Sequence, residues 1–475
     1  MSTSTIAAIA TASGQGGVAI IRLSGDQAWS IVEKLVHFKK KNIQYPVQTG
    51  RVYHGGLSLP KGPDEGDTSV SDSAMIDEVL VLFFRGPRSY TGEDIAEIHC
   101  HGGAFLSRVI LKACLELGAA PAMPGEFTKR AFLAGKLDLT QAESVLDLIE
   151  AANIPMLRMA SQNLVNRSLN DRIEQLAREI FDLQSPIVAS VDFPDEVDEP
   201  AREPLRKKLE ALQKSIDSIL EAASRQDILR RPFQVSLMGR PNAGKSSLFN
   251  ALLASDRSIV TPIAGTTRDT VSESFTSKNG TSITLVDTAG LRALETTEAV
   301  SVEALGIDRS WQAAEASQSI LYMLDATNTL KPEDLNTLTK LSSLGVPLLV
   351  VWNKCDLLSS KVLPSNPLAL EAMTLSAATG EGLPTLFEWI DKQVQTQYQT
   401  LPEHYLALNQ RQKECFHQCR EALNEVLPIL TTHSLPLDLA TVPLSEALRA
   451  MNTLLGRDMT EVMLSDVFQR FCVGK

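Results

Sequence analysis

One stretch constrains this chain more than any other. Gly239-Arg240-Pro241-Asn242-Ala243-Gly244-Lys245-Ser246 is a G-x-x-x-x-G-K-S loop, set between the apolar run FQVSLMG (233–239) and the helix-forming SSLFNALLA (246–254). A strand that turns through such a loop into a helix aims backbone N–H groups and a helix N-terminus at one point, a cradle for phosphate oxygens. Lys245 reaches the terminal phosphates of a nucleotide, and the Ser246 hydroxyl is placed to hold Mg²⁺. The strand before and the helix after separate the motif from an ordinary glycine-rich turn.

The surroundings agree. TSITLVD (281–287), SILYMLDA (319–326) and VPLLVVWN (346–353) read as buried strands alternating with helical segments, so residues 230–395 are expected to form an α/β domain with a largely parallel sheet. Three more motifs end such runs. In Asp287-Thr288-Ala289-Gly290 the carboxylate can hold Mg²⁺ through water, and the Gly290 N–H can sense a γ-phosphate. In Asn353-Lys354-Cys355-Asp356, Asp356 is a bidentate acceptor for the guanine N1–H and N2 amine, which adenine cannot satisfy, and Lys354 can lie along the base plane. Ser376-Ala377-Ala378 follows LEAMTL (370–375) and can offer a backbone N–H to guanine O6. Each motif is weak alone, but the four in this order select GTP over ATP. Within Gly265-Thr266-Thr267-Arg268-Asp269, Thr267 can ligate Mg²⁺ only when a γ-phosphate is present, an order–disorder switch.

One absence is informative. Many GTPases place a water-orienting Gln just after D-x-x-G, and here that position holds Leu291, which cannot polarise water. Hydrolysis must use another group or be very slow. The Asn242 side-chain oxygen either ligates a monovalent cation that replaces an arginine finger or makes a loop-stabilising hydrogen bond.

The rest of the chain sets limits. Its 475 residues allow two to four domains at about 100–200 residues each. Lys and Arg number 45 against 57 Asp and Glu, a net charge of −12, which excludes a broad basic surface for coating nucleic acid. RNA contact must come from local patches or a partner, and Arg206-Lys207-Lys208 and Arg230-Arg231 are candidates, although such runs are usually solvated helix faces. The six cysteines show no framework spacing, so a reduced cytosolic setting fits. MSTSTIAAIATASGQGG has no charged n-region, and VPLLVV (346–351) is far shorter than the ~20 residues of a membrane helix, so no membrane segment is expected.

IAAIATA (6–12), GVAIIRLSG (17–25) and VLVLFFRGP (79–87) read as strands within an N-terminal α/β region. Residues 135–229 read as helical: Leu169, Ile173, Leu176, Ile180, Leu183 and Ile187 form one apolar stripe, and Leu205, Leu209, Leu212, Ile216 and Ile219 repeat it after the helix-breaking DFPDEVDEP (192–200). After 400 the chain is helical again, with Cys415, Cys419, Ala422 and Val426 on one face. The two helical stretches are expected to pack together, with the α/β module inserted between them.

GRPNAGKSSLFNALL, IAGTTRD, DTAGLR and NKCD stand with GGVAIIRLSG, TGEDIAEIHCHGG (91–103), PGEFTKRAFLAGKLDLTQAE (124–143) and the tail Phe471-Cys472-Val473-Gly474-Lys475. Together they resemble, over the whole chain, the tRNA modification GTPase family MnmE, also called TrmE. The resemblance implies a multidomain fold: an α/β N-terminal folate-binding and dimerisation domain (1–134), a discontinuous all-α helical domain (135–229 plus 396–475), and an inserted Ras-like α/β P-loop G domain (230–395). It implies a cytoplasmic homodimer that binds tRNA and forms a heterotetramer with a flavin-dependent MnmG-type protein. Together they would place an aminomethyl-type (carboxymethylaminomethyl) group on C5 of the wobble uridine, using 5-formyl- or methylene-tetrahydrofolate.

The resemblance also implies site residues. Lys245, Glu303 and Cys472 are candidate catalytic groups, with Glu303 as the water-orienting glutamate. GTP would be held by Asn242, Ala243, Gly244, Lys245, Ser246, Ser247, the loop Thr261-Pro262-Ile263-Ala264-Gly265-Thr266-Thr267, Asp287-Thr288-Ala289-Gly290, Asn353, Lys354, Asp356 and Ser376-Ala377-Ala378. Mg²⁺ would sit on Ser246 and Thr267, and K⁺ on Asn242, Thr261, Ile263 and Thr266. Folate would use Arg22, Glu97, Lys136 and Lys475. By sequence alone Arg22, Glu97 and Lys136 are surface charges and Glu303 a solvated helix residue. Cys472 is a nucleophile, a shield for an intermediate, or an inert thiol on a frayed tail. His99 and His101 lack a third ligand at useful spacing for a metal. Two alternatives stand beside this reading: an RNA-assembly G-protein switch without modification chemistry, and a folate enzyme of the glycine-cleavage type fused to a GTPase.

Overall fold

A computed structural model describes residues 4–12, 14–38, 50–59, 75–230, 233–254, 272–277, 281–287, 311–358, 368–399 and 408–475. Contacts divide the chain into two compact units. One combines residues 1–146, 161–220 and 408–475, and the other combines 147–160 with 221–407.

The first unit begins with β1 (Ile6–Ile9), β2 (Val18–Ser24), α1 (Ala28–Leu35), β3 (Val36–Phe38), β4 (Val52–Leu57), β5 (Asp77–Phe84), β6 (Ile95–His101), α2 (Ala104–Glu116) and β7 (Ala120–Pro121). The strands form one sheet in the order β3-β4-β5-β6-β2-β1-β7, with β7 parallel to β1 and every other pair antiparallel. Side chains alternate between the faces of a strand, so Ala19, Ile21 and Leu23 of β2 and Ala96, Ile98 and Cys100 of β6 fill the core with α1 and α2. Arg22, Glu97 and His99 therefore share the opposite face, with Arg22 directly across from Glu97 in the ladder.

Helices follow: α3 (Glu126–Leu133), α4 (Leu139–Ile149), α5 (Ile154–Asn166), α6 (Ser168–Asp192) and α7 (Arg202–Arg230). All six residues of the expected α6 stripe are buried, and the helix stops at Asp192, where DFPDEVDEP begins.

The second unit carries β8 (Phe233–Gly239), α8 (Lys245–Ala254), β9 (Ser272–Thr276), β10 (Ser282–Asp287), β11 (Ser319–Asp325), α9 (Pro332–Ser342), β12 (Leu348–Asn353), β13 (Ala372–Thr374) and α10 (Leu383–Gln399). Its sheet runs β13-β12-β11-β8-β10-β9, parallel except for the edge strand β9. Both faces are covered, which explains the unbroken apolar runs in the sequence. Val235 and Leu237 pack with Leu248 of α8 and Ile390 of α10, whereas Ile320, Tyr322 and Leu324 pack with Leu338 and Leu341 of α9.

The chain then returns to the first unit through α11 (Gln410–Thr431), α12 (Thr441–Leu454) and α13 (Glu461–Phe468). Asn409 caps α11, its side chain accepting from the Gln412 N–H at 2.8 Å. These helices pack on the earlier ones, as expected from their apolar faces. Gln184 of α6 donates to Ser445 Oγ of α12 at 2.6 Å, and Arg202 reaches the Ile429 and Leu435 carbonyls, each at 2.8 Å.

A buried charge pair ties α4 to α11. The Arg411 guanidinium grips both Glu143 oxygens at 2.7 and 2.9 Å, and Gln412 Nε2 adds a third bond at 2.6 Å. Burial alone would lower the Arg411 pKa, but the Glu143 carboxylate outweighs it and raises it. Glu143→Ala would strand the guanidinium and is expected to cost this unit about 3–5 kcal/mol. Hydrogen exchange in peptides covering Gln410–Thr431 measures it, and unchanged protection would contradict the assignment.

Candidate functional site

The phosphate-loop geometry follows from glycines at two tight points. β8 ends at Gly239, where φ is +139° and a Cβ would stand 2.4 Å from the Met323 carbonyl oxygen. At Gly244, φ is +95° and a Cβ would stand 2.1 Å from Asn353 Nδ2. Between them Asn242 takes a left-handed φ of +66°, a conformation that Asn tolerates better than most residues. Helix α8 starts at Lys245, whose buried ammonium donates to the Gly239 and Arg240 carbonyls at 2.6 and 2.7 Å. Ser246 and Ser247 lie exposed in the first turn. The loop thus wraps around its own cation beside an open helix N-terminus, an arrangement able to hold an anion.

The strand ends of β11 and β12 adjoin, with Asp325 registered against Asn353. Asn353 is 2% exposed; its Nδ2 donates to the Ala243 carbonyl at 2.9 Å, and its Oδ1 accepts from the Ala377 N–H at 2.9 Å. One amide therefore joins the phosphate loop to the Ser376–Ala378 loop. Lys354, with φ +67°, directs its ammonium to Asp325 Oδ2 at 2.7 Å. Burial pushes the Asp325 carboxyl up, but Lys354 and Thr327 overcome this and hold it below its usual value. Asp356 follows in a short 3-10 turn with its carboxylate exposed and free of hydrogen bonds among the described residues. Ser376 is buried, accepts from the Thr379 N–H at 3.2 Å, and shapes the turn behind Ala377 and Ala378.

The sequence motif points Lys354 along a base, and the structure adds a partner for it, Asp325. The signal was present: an Asp at the end of the strand SILYMLD, next to the strand that ends in Asn353. Asp287 ends β10 opposite Leu237. Thr261, Pro262, Ile263, Ala264, Gly265, Thr266, Thr267, Thr288, Ala289, Gly290, Leu291 and Glu303 lie outside the described residues.

The first unit holds a separate cluster on the sheet face opposite α1 and α2. Arg22 Nε donates to Glu97 Oε1 at 2.8 Å, its guanidinium carbon lies 5.7 Å from the centroid of the Phe127 ring, and His99 Nε2 stands 3.3 Å from Glu97 Oε2. The tail residues 471–475 close over this region. Phe471 is buried against Phe468, the Gly125 N–H donates to the Cys472 carbonyl at 3.4 Å, and the Phe127 N–H donates to the Lys475 carbonyl at 3.2 Å. Gly474 has φ +95° and no room for a Cβ, which would meet the Ile9 carbonyl at 2.5 Å. Arg22 also reaches the Gly474 carbonyl, at 3.5 Å. The tail is docked, with the Cys472 side chain exposed. Lys136 is exposed near Gly92. The sheet and tail thus bring Arg22, Glu97 and the Lys475 backbone together, offering a cation and a carboxylate, while the Phe127 ring is buried beneath the Arg22 guanidinium.

A six-stranded sheet in this order, with a phosphate loop after its central strand and Asn353–Asp356 at a neighbouring strand end, defines a Ras-like P-loop G domain. The family described as GTP-binding protein TrmE N-terminus matches residues 5–136, and the MnmE helical domain matches residues 139–472. The tRNA modification GTPase MnmE of Thermotoga petrophila is 38% identical, covering 99% of this chain and 100% of that one. The enzyme of the same name from a Synechococcus species is also 38% identical, covering 99% and 98%. Among solved structures, Aquifex aeolicus Era bound to GDP·AlF4⁻ aligns at 29% identity and a TM-score of 0.28, over 40% of this chain and 66% of that one. The G domain of Thermotoga maritima FeoB aligns at 25% identity and a TM-score of 0.26, over 34% and 99%. The chain belongs to the tRNA modification GTPase MnmE family.

The thiols separate by environment. Burial pushes Cys114 and Cys419 up to about 12; burial, and then Asp77, pushes Cys100 up to about 11; and burial raises Cys415. Of the six cysteines only Cys472 is exposed. Because the thiolate is the nucleophile, iodoacetamide at about pH 8 is expected to modify Cys472 and leave these four unlabelled in the native protein. Peptide mass spectrometry reads the order, and labelling of Cys114 or Cys419 as fast as Cys472 would contradict it.

Proposed function

We propose that this chain is a GTPase acting in tRNA modification, with GTP bound at the β8–α8 loop and guanine read by Asp356. The observation that carries this reading is the Asn353 amide, which joins the phosphate loop to the Ser376–Ala378 loop and leaves the Asp356 carboxylate exposed beside them. In this reading Asn242 to Ser247 surround the phosphates, Lys245 turns from the loop carbonyls to the β- and γ-phosphates, and Ala378 offers the N–H for guanine O6, since the Ala377 N–H is engaged by Asn353. Asp287 to Gly290 face the γ-phosphate, and Glu303 orients water in place of the missing Gln.

Mg²⁺ fits the site through the exposed Ser246 hydroxyl at the start of α8, with Thr267 as its partner. K⁺ would be taken by Asn242, whose exposed side chain makes no hydrogen bond among the described residues, and Thr261, Ile263 and Thr266 would complete the oxygen set. When bound, the two cations neutralise charge on the phosphates.

The same proposal gives the N-terminal sheet a folate one-carbon carrier. Its chemistry suits the cluster there: Arg22, Lys136 and Lys475 for the glutamyl carboxylates, and Glu97 for the pterin edge. The carrier would supply the one-carbon unit, and this chain would bind and orient it, with Cys472 close by on the docked tail. With a flavin-dependent MnmG-type partner in a heterotetramer, the cytoplasmic homodimer would add a carboxymethylaminomethyl-type group to C5 of the wobble uridine. The domain limits 1–134, 135–229 with 396–475, and 230–395 belong to this proposal.

Asp356→Asn leaves the guanine N–H donors mismatched, with an expected loss of about 2–4 kcal/mol in GTP affinity and a gain for xanthosine nucleotides. Isothermal titration measures both, and unchanged GTP affinity would refute the guanine assignment. Replacing K⁺ with Na⁺ is expected to cut kcat at least ~10-fold, a difference that Asn242→Ala should abolish. Steady-state phosphate release in matched salts checks this, and equal wild-type rates would remove the cation from the mechanism. Loss of the wobble-uridine modification in a deletion strain, read by mass spectrometry of tRNA nucleosides, distinguishes this function from a G-protein switch.

A further inference from the structure

Arg240 occupies the second position of the phosphate loop, and the nucleotide reading leaves its side chain unused. The guanidinium points toward the N-terminus of α9. Its Nε donates to Asp334 Oδ1 at 2.8 Å, and Nη2 donates to the carboxylate of Glu333. The two acceptors differ in kind. Glu333 is an exposed surface group, whereas the Asp334 side chain is 4% exposed. A carboxylate so buried is stable only with its acceptor positions filled. The Tyr322 hydroxyl donates to Oδ1 at 3.0 Å, and the Lys331 N–H donates to Oδ2 at 3.1 Å. Burial first, and the Asp334 charge second, push the Tyr322 phenol well above its usual range, so it remains protonated and a donor.

Asp334 is thus a fixed point. It is held by the sheet through Tyr322 of β11 and by the first turn of α9, and Arg240 is fastened to it. Arg240 is also bound from the loop side, because its carbonyl accepts from Lys245 Nζ at 2.7 Å and from the Ala243 N–H at 3.4 Å. Without nucleotide, a charge-assisted anchor on one side and a lysine contact on the other restrain the peptide that sets the direction of the following amides; once Lys245 turns to the phosphates, the Asp334 anchor is the restraint that stays.

We propose that Asp334 is a positioning residue for the phosphate loop: acting through Arg240, it holds the loop amides in the shape that receives a nucleotide's phosphates. This rests on the nucleotide reading above. It adds α9 to the nucleotide site, although no loop motif marks that helix. Asp325, at the other end of the β11–α9 connection, holds Lys354 in a parallel manner.

Stopped-flow release of N-methylanthraniloyl-GDP from the full chain tests the proposal, with thermal unfolding of the nucleotide-free protein measured alongside. Asp334→Asn and Arg240→Ala are each expected to speed release about tenfold, and the double variant to be no faster than Arg240→Ala. Additive effects would overturn the route through Arg240. A lowered melting temperature with wild-type release would make Asp334 a purely structural residue and overturn the proposal. If Asp334→Asn does not fold, Arg240→Lys, which keeps the charge and loses the fork, takes its place, and wild-type release from it overturns the proposal equally. A wild-type chain that binds no GDP would overturn the nucleotide reading itself, whereas binding with unaffected variants would overturn the positioning role alone.

Discussion

The nucleotide end of the second unit depends on one side-chain amide. β8 and β12 are not neighbours in the sheet, since β11 runs between them, so no ladder hydrogen bond can register the loops that follow them. Asn353 makes the link. An amide carries both a donor and an acceptor, and the loops need one of each, for the Ala243 carbonyl and the Ala377 N–H. A carboxylate of the same shape would lack the donor and bring a charge into a site that is 2% exposed. Gly244 is the counterpart of this link, because any Cβ there would occupy the space of Asn353 Nδ2. The motif Asn is therefore as much a structural tie between loops as a ligand contact, which explains its place at the buried first position of N-K-C-D while the exposed Asp356 comes last.

Much of this was legible in the sequence because its carriers are local. The α6 stripe from Leu169 to Ile187 needs only a 3.6-residue period, and the strands at 233–239, 319–325 and 348–353 needed only apolar runs ended by turn residues. The phosphate loop carries its own glycines. The contacts that stayed hidden are set by register and by long-range return of the chain. Arg22 and Glu97 each look like surface charges until β2 and β6 pair and put them opposite one another. Lys354 finds Asp325 because two parallel strands end level. The edge strand β9, SESFT, has little apolar content of its own, and Phe275 joins the core. Nothing in the sequence of the tail marks it as ordered, since what orders it is the backbone of residues 125–127 and 9–10, hundreds of positions away.

The N-terminal sheet shows how one fold separates stability from chemistry. One face meets α1 and α2 through an apolar core, and the other carries Arg22, Glu97 and His99, with the tail backbone at Gly474 reaching Arg22. The tail is held by main-chain bonds and by the buried Phe471 ring, and its closest approach to the sheet is at one residue. That residue is Gly474, whose hydrogen alone fits against the Ile9 carbonyl.

The interleaving of the two units also has a consequence for synthesis. The stripe of α6 is buried partly by α12, and about 260 residues separate the end of one helix at Asp192 from the end of the other at Leu454. At about 5–20 residues per second, a ribosome needs on the order of ten to fifty seconds to cover that distance. The α/β unit, whose strands come from a single intervening stretch, can complete its sheet in that interval, while the part of α6 that α12 will cover waits for its partner. Each nascent chain therefore passes through a stage in which its first helical stretch is a natural client for a ribosome-associated chaperone.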